Sequence, residues 1–241
     1  MSATRRAEIA AGLARVEERI TGACDAAGRA REDVTLIVVT KTRPATDVRL
    51  LAELGVRHVA ENRDQEAAEK AEACADLPLN WHFVGQLQTN KVRSVANYAD
   101  YVHSVDRPRL VGALSTAVER RERGPVRCLI QVALEKEQGH GGDRGGVAPD
   151  GVPELAAVIG AAPGLVLAGL MTVAPLSGAY AGRPGVAFGR LVEISRDLRR
   201  TDPAATMVSA GMSADMEEAV AAGATHVRVG SAVLGVRESL G

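Results

Sequence analysis

The 241-residue sequence predicts an α/β fold, a single (β/α)8 TIM-type barrel with an extra N-terminal helix. Short apolar runs alternate with longer segments of helical period along the whole chain. They make about eight β/α units, in a length close to the ~250 residues typical of such barrels. No composition break or Ser/Pro-rich linker divides the chain. A doubly wound open sheet is the main alternative, but the number of units favours one barrel domain over residues 1–241.

The elements follow in order. The first helix is predicted over residues 4–27, where Ile9, Leu13, Val16 and Ile20 form an apolar stripe. The run LIVVT at residues 36–40 is typical of a strand buried on both faces. Further strands are predicted at residues 58–60, 81–84, 101–104, 127–133, 165–171, 206–209 and 226–229. Helices are predicted at residues 45–54, 65–75, 108–123, 153–159, 188–199 and 214–222, while residues 90–98 are weakly patterned. Because each crossover helix returns the chain to the same edge, the strands should be parallel.

The composition excludes several classes of protein. An apolar share of 46% in a chain of this length excludes disorder and a disulfide-stapled mini-protein. The net charge of −1 and the aromatic content of 2% argue against nucleic-acid binding. The charged, amphipathic start does not resemble a signal peptide, and no apolar run approaches the roughly 18 residues that span a bilayer. We expect a cytoplasmic protein with no membrane partner.

The cysteines and histidines show no metal-binding spacing. Cys24, Cys74 and Cys128 lie far apart and form no CxxC pair, so we expect buried or inert thiols. The histidines have no HxxxH or HxH arrangement; they are His58, His82, His103, His140 and His226. No metal site is predicted.

The first strand runs directly into Lys41. In a parallel barrel the chemistry lies where strands end and βα loops begin. A lysine at the mouth of an apolar strand can be partly desolvated, which lowers its pKa and makes the amine a nucleophile for a carbonyl. The alternative is a solvated lysine that flanks the end of a strand.

The last two junctions indicate a phosphate site. Strand seven ends in residues 209–213, Ser-Ala-Gly-Met-Ser, and Ser213 is a candidate N-cap for the next helix. Gly211 permits close backbone approach, and N–H groups at a helix start can hold a phosphate. Strand eight ends in Gly230 and Ser231. Turn glycines and capping serines would explain either junction alone, whereas the pair fits the phosphate site that barrels often build after strands seven and eight.

Arg228 lies between Val227 and Val229, so it faces the opposite side of the strand. If the valines face the helices, Arg228 points into the barrel, where an unpaired cation is costly. It then needs an acceptor, which is either a nearby carboxylate or a bound ligand.

The glycine-rich loop at residues 139–146 invites comparison with nucleotide-binding loops. It fails the GxGxxG pattern because Arg144 takes the third glycine position, and it lacks the GK[ST] ending of a P-loop. We interpret it as a mobile loop over the mouth, with Arg144 able to reach an anion, or as a flexible linker.

Seven segments of the chain carry the motifs of a known family. Residues 81–91, WHFVGQLQTNK, are highly specific, whereas VTKTRP at residues 39–44 alone would be weak. The others are residues 60–62, 103–106, 169–171, 209–216 and 227–231. With these motifs over nearly its whole length, the sequence resembles the pyridoxal-phosphate homeostasis proteins, also called proline synthase co-transcribed homologues. That family is similar to the barrel domain of alanine racemase, a fold-type-III pyridoxal-phosphate fold.

The resemblance implies that the chain binds pyridoxal 5′-phosphate (PLP), a vitamin B6 cofactor, as a Schiff base on Lys41. It implies that Arg228 faces the pyridine nitrogen and that Asn62 lies beside the ring. The phosphate would be held by Ser209, Gly211, Met212, Ser213, Gly230 and Ser231. Because a cation cannot stabilise a protonated pyridine, the ring would be a weak electron sink.

The sequence departs from the family pattern in three places. The usual lysine in a Ser-Lys-Ser-Gly-like loop after strand five is Arg144 here, which keeps the charge but not an amine. The family's Ser-Met-Gly-Met-Ser is Ser-Ala-Gly-Met-Ser at residues 209–213. The threonine that follows the last glycine is Ser231, which keeps the hydroxyl.

The resemblance implies a carrier rather than an enzyme. Such a protein maintains intracellular PLP homeostasis without turnover, makes transient contact with PLP-dependent apoenzymes and is expected to be a monomer. The alternative is a racemase that uses Lys41 as one of two bases, which requires a second base opposite it.

In alanine racemases that second base is a tyrosine from an additional β domain. We expect none here, because the sequence ends at Gly241 and its tyrosines, Tyr98, Tyr101 and Tyr180, are not well placed. A phosphate-sugar enzyme with Lys41 as an aldolase-type lysine is a third possibility, and residues 81–91 argue against it.

Overall fold

The strands form a closed, parallel barrel in sequence order, with β1 also paired to β8. The computed structural model describes residues 2–121, 123–138 and 145–235. The strands are β1 (Thr35–Val39), β2 (His58–Glu61), β3 (Asn80–Phe83), β4 (Tyr101–Val105), β5 (Val126–Gln131), β6 (Leu165–Met171), β7 (Met207–Ser209) and β8 (His226–Val229). The predicted eight-stranded parallel barrel is confirmed, and the open sheet is excluded because β1 and β8 pair along four residues.

Helices connect the strands and cover the outside of the barrel. They are α1 (Ser2–Ala26), α2 (Ala45–Glu53), α3 (Asp64–Ala73), α4 (Val92–Tyr98), α5 (Pro108–Val118), α6 (Val152–Gly160), α7 (Pro184–Leu198), α8 (Met216–Ala222) and α9 (Ser231–Leu234). The weakly patterned segment at residues 90–98 thus contains a short helix, which buries Val92, Val95 and Ala96. The helix predicted over residues 108–123 ends earlier, at Val118. The Arg121 guanidinium there donates to backbone carbonyls at the end of α4, those of Ala96 and Ala99, which holds the chain in a turn.

The N-terminal helix packs against the seam where the barrel closes. Ile9, Val16 and Ile20 are buried against Val227 and Val229. The predicted stripe therefore faces the barrel as expected, and the outer face of β8 is apolar. The three cysteines are free and buried, as the sequence predicts.

Two classes of feature are missing from this part of the chain. Among the described residues, no helix is both long and apolar enough to cross a bilayer. The same residues contain no group of three or more His, Cys, Asp or Glu side chains placed to hold a metal ion.

Candidate functional site

Lys41 lies in the turn that follows β1, at the carboxyl end of the barrel. Its side chain is exposed, and no described residue bonds to its amine. Of the two alternatives for this residue, the structure therefore shows the solvated lysine, because β1 ends at Val39 and the turn carries Lys41 beyond the buried strand. Lys41 shares a cavity of about 190 Å³ with Gly230 and Ser231. The fold thus brings the amine to the glycine and serine that follow the last strand.

A buried ionic cluster holds the turn on both sides of Lys41. The Lys70 ammonium on α3 donates to Thr40 O at 2.7 Å, to Glu61 Oε1 at 2.7 Å and to Glu66 Oε1 at 2.6 Å. The Thr40 hydroxyl donates to Glu61 Oε1 at 2.6 Å. The Thr42 backbone N–H donates to Glu66 Oε1. Residues 40 and 42 are therefore anchored, and the amine between them is left free.

The backbone of Thr42 shows that this anchoring is strong. Its φ is 62°, a left-handed conformation that a β-branched residue rarely adopts. Such a residue costs about 1–3 kcal/mol and persists only where its surroundings enforce it. Glu61 is fully buried, and burial raises the pKa of its carboxyl while the Lys70 and Thr40 hydrogen bonds oppose the rise. We conclude that the ionic cluster of Glu61, Glu66 and Lys70 positions Lys41.

Sequence reasoning missed this cluster. Glu66 and Lys70 form an i,i+4 pair on α3, a spacing that is visible in the sequence. Glu61 directly precedes Asn62 in the family motif at residues 60–62. The signal was present, but nothing local indicated that the pair would turn inward against β2.

The loop after β7 has a left-handed glycine and an unexpected cap. Gly211 has φ +86°, and a Cβ there would lie 2.5 Å from Ala219 Cβ. The predicted N-cap, Ser213, is wrong: α8 begins at Met216 and is preceded by Asp215. Asp215 Oδ1 accepts the Met212 N–H at 2.6 Å, so the turn continues past Ser213 before the helix starts. The Ser213 carbonyl instead accepts from Arg19 at 2.9 Å.

The loops after β7 and β8 lie side by side. The Arg228 N–H donates to Gly211 O at 3.0 Å across the two strands. Within the described residues, the N–H groups of Gly211, Ser213 and Ser231 have no hydrogen-bond partner. Free N–H groups at neighbouring loop ends can donate hydrogen bonds to a bound anion. The Met212 N–H cannot do so in this geometry, because Asp215 occupies it.

Arg228 points into the barrel, as the strand alternation predicts. It is 5% exposed. Its guanidinium donates to Ser209 Oγ at 2.6 Å and to Thr172 O at 2.9 Å. No described carboxylate lies within ion-pair distance, so the alternative of a carboxylate partner is not what the structure shows. Burial lowers the pKa of Arg228 to about 10. The cation is held by a hydroxyl and a carbonyl.

Ser209 lies below the mouth. Its hydroxyl accepts from Arg228 and is 3.0 Å from His103 Nδ1. Ser209 is fully buried. The structure therefore brings Ser209 to Arg228 inside the barrel and leaves the free backbone N–H groups above it.

Asn62 follows β2 at the mouth. Its Oδ1 is buried and has no partner among the described residues. Gly85 of the next loop packs directly on this turn, since a Cβ there would lie 2.1 Å from Asn62 O. Asn62 and Gln86 line a second cavity of about 520 Å³. A buried amide oxygen without a partner is costly, which makes Asn62 a candidate ligand contact.

Tyr98 and Tyr101 lie near the amino end of the barrel, Tyr180 lies in the loop between β6 and α7, and the remaining predicted features are outside the described residues. Residues 139–144, with His140 and Arg144, belong to the part that the structure does not describe, so the role of Arg144 stays a prediction. Tyr98 is buried on α4, and Tyr101 stacks on His82 at the start of β4 with ring centroids 4.3 Å apart. The Tyr180 hydroxyl donates to Glu137 at 2.6 Å.

The comparisons with known proteins agree on one family. Residues 13–238 match the family described as alanine racemase, N-terminal domain. A Pseudomonas aeruginosa protein named pyridoxal phosphate homeostasis protein is 41% identical over 232 residues, covering 95% of this chain and 96% of the relative. The protein of the same name in Escherichia coli K12 is 36% identical over 234 residues, covering 96% and 97%.

A solved structure described as having PLP bound is also similar to this chain. PipY of Synechococcus elongatus, described as having PLP bound, is 32% identical with a TM-score of 0.76. The match covers 94% of this chain and all of the PipY chain. With a closed parallel barrel and full-length relatives above 30% identity, the chain belongs to the pyridoxal phosphate homeostasis protein family.

Proposed function

We propose that this protein binds PLP as a Schiff base on Lys41 and acts as a carrier that maintains cellular PLP, without catalytic turnover. The single observation that carries the proposal is the free Lys41 amine, held on an anchored turn in one cavity with Gly230 and Ser231. When bound, PLP supplies an aldehyde that condenses reversibly with a primary amine and releases water. Similarity to PipY, described with PLP bound, supports the choice of ligand.

The remaining residues at the mouth fit the same ligand. The unpaired N–H groups of Gly211, Ser213 and Ser231 would hold the phosphate beside Gly230, whereas the Met212 N–H is already bonded to Asp215. Asn62 Oδ1, which lacks a partner among the described residues, would meet the ring side. The Ser209 hydroxyl is already bonded to Arg228, so we assign it to the support of Arg228 rather than to the phosphate.

Arg228 supports the absence of turnover. If its guanidinium faced the pyridine nitrogen of bound PLP, that nitrogen would stay unprotonated and the ring would withdraw electrons weakly. Two-base racemisation also needs a second acid/base near the amine, whereas Tyr98 and Tyr101 lie away from the mouth. We propose a cytoplasmic monomer that makes transient contact with PLP-dependent apoenzymes.

Borohydride reduction followed by peptide mapping tests the anchor. We expect a pyridoxyl-phosphate adduct on the Lys41 peptide of the wild type and none in Lys41→Ala. Lys91→Ala is the matched control, since Lys91 is also exposed near the mouth, and it should keep the adduct. An adduct that persists in Lys41→Ala, or no adduct in the wild type soaked with PLP, contradicts the proposal.

Solvent-deuterium exchange at the α-carbon of amino acids tests the lack of turnover. The reduced, blocked protein serves as the control for non-enzymatic exchange. We expect the PLP-loaded protein to promote exchange of the amino-acid α-hydrogen no faster than free PLP does. Chiral chromatography that detects catalytic racemisation by the loaded protein would favour the racemase instead.

A further inference from the structure

A continuous chain of hydrogen bonds runs down the inside of the barrel from Arg228. Ser209 Oγ lies 2.6 Å from the Arg228 guanidinium and 3.0 Å from His103 Nδ1. His103 Nε2 lies 2.8 Å from His82 Nδ1, and His82 Nε2 lies 3.0 Å from His58 Nδ1. The chain crosses from β8 through β7, β4 and β3 to the start of β2. It links the base of the candidate site to the amino end of the barrel.

Each inner imidazole in this chain uses both of its ring nitrogens. A neutral imidazole has one N–H donor and one acceptor nitrogen. His82 and His103 are fully buried, and burial holds the pKa of each well below its usual value, so both are neutral at pH 7. The protons of the chain must then all point the same way along it.

The environment of Ser209 selects the direction. Its oxygen already accepts from Arg228. If His103 Nδ1–H donated to Ser209 as well, the Ser209 proton would have no acceptor among the described residues. If Ser209 donates to His103 Nδ1, then His103 donates to His82 and His82 donates to His58. Every inner group is then satisfied, and the last proton sits on His58 Nε2, on a side chain that is only half-buried.

This direction has an electrostatic consequence at Arg228. Every imidazole presents its lone pair toward the guanidinium and its N–H away from it. The dipoles therefore align with their negative ends toward the buried cation, and hydrogen bonds in such a series strengthen one another. The chain thus replaces the carboxylate that a buried arginine usually requires.

We propose that His103, backed by His82 and His58, is a positioning residue that stabilises and orients the Arg228 cation through Ser209. The role in cofactor binding rests on the proposed function, whereas the polarity of the chain does not. A neutral partner has one advantage over a carboxylate. It leaves the charge of Arg228 uncompensated and therefore available to the ring nitrogen of a bound PLP.

Nitrogen-15 NMR of histidine-labelled wild-type protein without PLP tests the polarity directly. We expect His58, His82 and His103 to be neutral at pH 8, with the proton on Nε2 and none on Nδ1. Single substitutions assign the signals, and His226 is the internal reference because it bonds to Thr225 Oγ1 outside the chain, at 2.8 Å. Protons on Nδ1 of His82 and His103, or an imidazolium at either, overturn the proposal.

Substitution at His103 tests the link to the site. His103→Leu removes the acceptor for Ser209, and we expect PLP to bind about tenfold more weakly, with a shifted pH profile of its absorption spectrum. His103→Asn places an amide oxygen where Nδ1 stood and should restore most of the affinity. His226→Asn removes a half-buried histidine outside the chain and should match the wild type.

The outcomes separate this proposal from the proposed function. Wild-type affinity and pH profile in a folded His103→Leu, or equal losses in His103→Leu and His103→Asn, overturn the role of His103. A wild type that binds no PLP overturns the proposed function alone, since the NMR result still decides the chain. If His103→Leu does not fold, His58→Asn at the half-buried end should show a smaller loss of affinity, and no change there overturns the extended chain.

Discussion

Two buried cations flank the mouth of this barrel, and they are compensated in different ways. Lys70 lies on α3, outside the barrel wall, and it donates to two carboxylates and a carbonyl. Arg228, inside the barrel, donates to a hydroxyl and a carbonyl, and no described carboxylate lies within ion-pair distance of it. Burying either charge without partners would cost several kcal/mol. The molecule therefore pairs the cation that holds a turn with carboxylates, and leaves without a carboxylate partner the one that our proposal assigns to the ligand.

The difference matches the tasks of the two regions. The ionic cluster of Glu61, Glu66 and Lys70 anchors the residues on both sides of Lys41, so its value lies in rigidity. Arg228 would act on a ligand through its charge, and a carboxylate partner would cancel that charge. Neutral histidines can orient a guanidinium without cancelling it. Three experiments compare the two regions, in decreasing order of the effect expected for each group that is changed.

Lys70→Met should destabilise the turn that carries Lys41. It leaves Glu61 buried without its cation, and we expect the free energy of unfolding to fall by about 3–5 kcal/mol. Urea denaturation monitored by circular dichroism measures the change. Lys91→Met is the matched control, since its pair with Asp64 is 3.9 Å long and half-exposed, and it should cost less than about 1 kcal/mol. Similar losses in the two variants would show that the buried cluster has no special role.

Acid should act mainly on the Arg228 region. Burial lowers the pKa of His82 and His103 well below the usual value and that of His226 to about 4. The unfolded chain binds protons on these histidines near pH 6.5 while the folded chain does not. The stability they contribute is therefore full above about pH 7 and is lost as the pH falls toward the folded pKa values.

The loss of stability in acid depends on how many histidines stay neutral in the folded protein. Each histidine that stays neutral in the folded state costs about 2 kcal/mol of stability between pH 7 and pH 5. Urea unfolding at several pH values measures the slope. His226→Asn should reduce this loss of stability by the amount that one histidine contributes. A flat profile from pH 7 to pH 5 would mean that the barrel histidines are protonated in the folded protein.

Thr42→Gly should produce the smallest effect and sharpen the view of the Lys41 turn. Glycine accepts the left-handed φ of 62° without strain but loses more backbone entropy on folding. We expect stability to rise by less than about 1 kcal/mol, with the Lys41 adduct retained. Thr46→Gly, in the first turn of α2, is the control and should lower stability by a similar amount. A large loss in Thr42→Gly would show that the side chain, rather than the backbone N–H, anchors the turn.

The alternation of short apolar runs and helical segments was enough to predict the barrel. Strand β6 was predicted with the bounds observed, because it is a continuous apolar run in which every residue except Val166 is buried. The inward direction of Arg228 also followed from its neighbours, since side chains alternate along a strand. Both are consequences of local geometry, which neighbouring residues determine.

The details that the sequence did not predict depended on hydrogen bonds that hydrophobic periodicity does not encode. Ser213 satisfied the local rule for an N-cap, yet the Asp215 carboxylate captured the Met212 N–H and delayed the helix. Lys41 followed an apolar strand, yet the turn anchored by Lys70 carried it into solvent. In each case a contact outside the local pattern changed the result.

The histidine chain marks the boundary between what the residue order contains and what folding adds. His58, His82 and His103 stand at no metal-like or catalytic spacing, and they come from three different strands. Closure of the barrel stacks those strands so that each imidazole reaches the next, up to Ser209 and Arg228. Hydrophobic periodicity encodes which face of each strand is buried. The register between strands, and with it the partner of each buried polar group, emerges only when all eight strands pack around one axis.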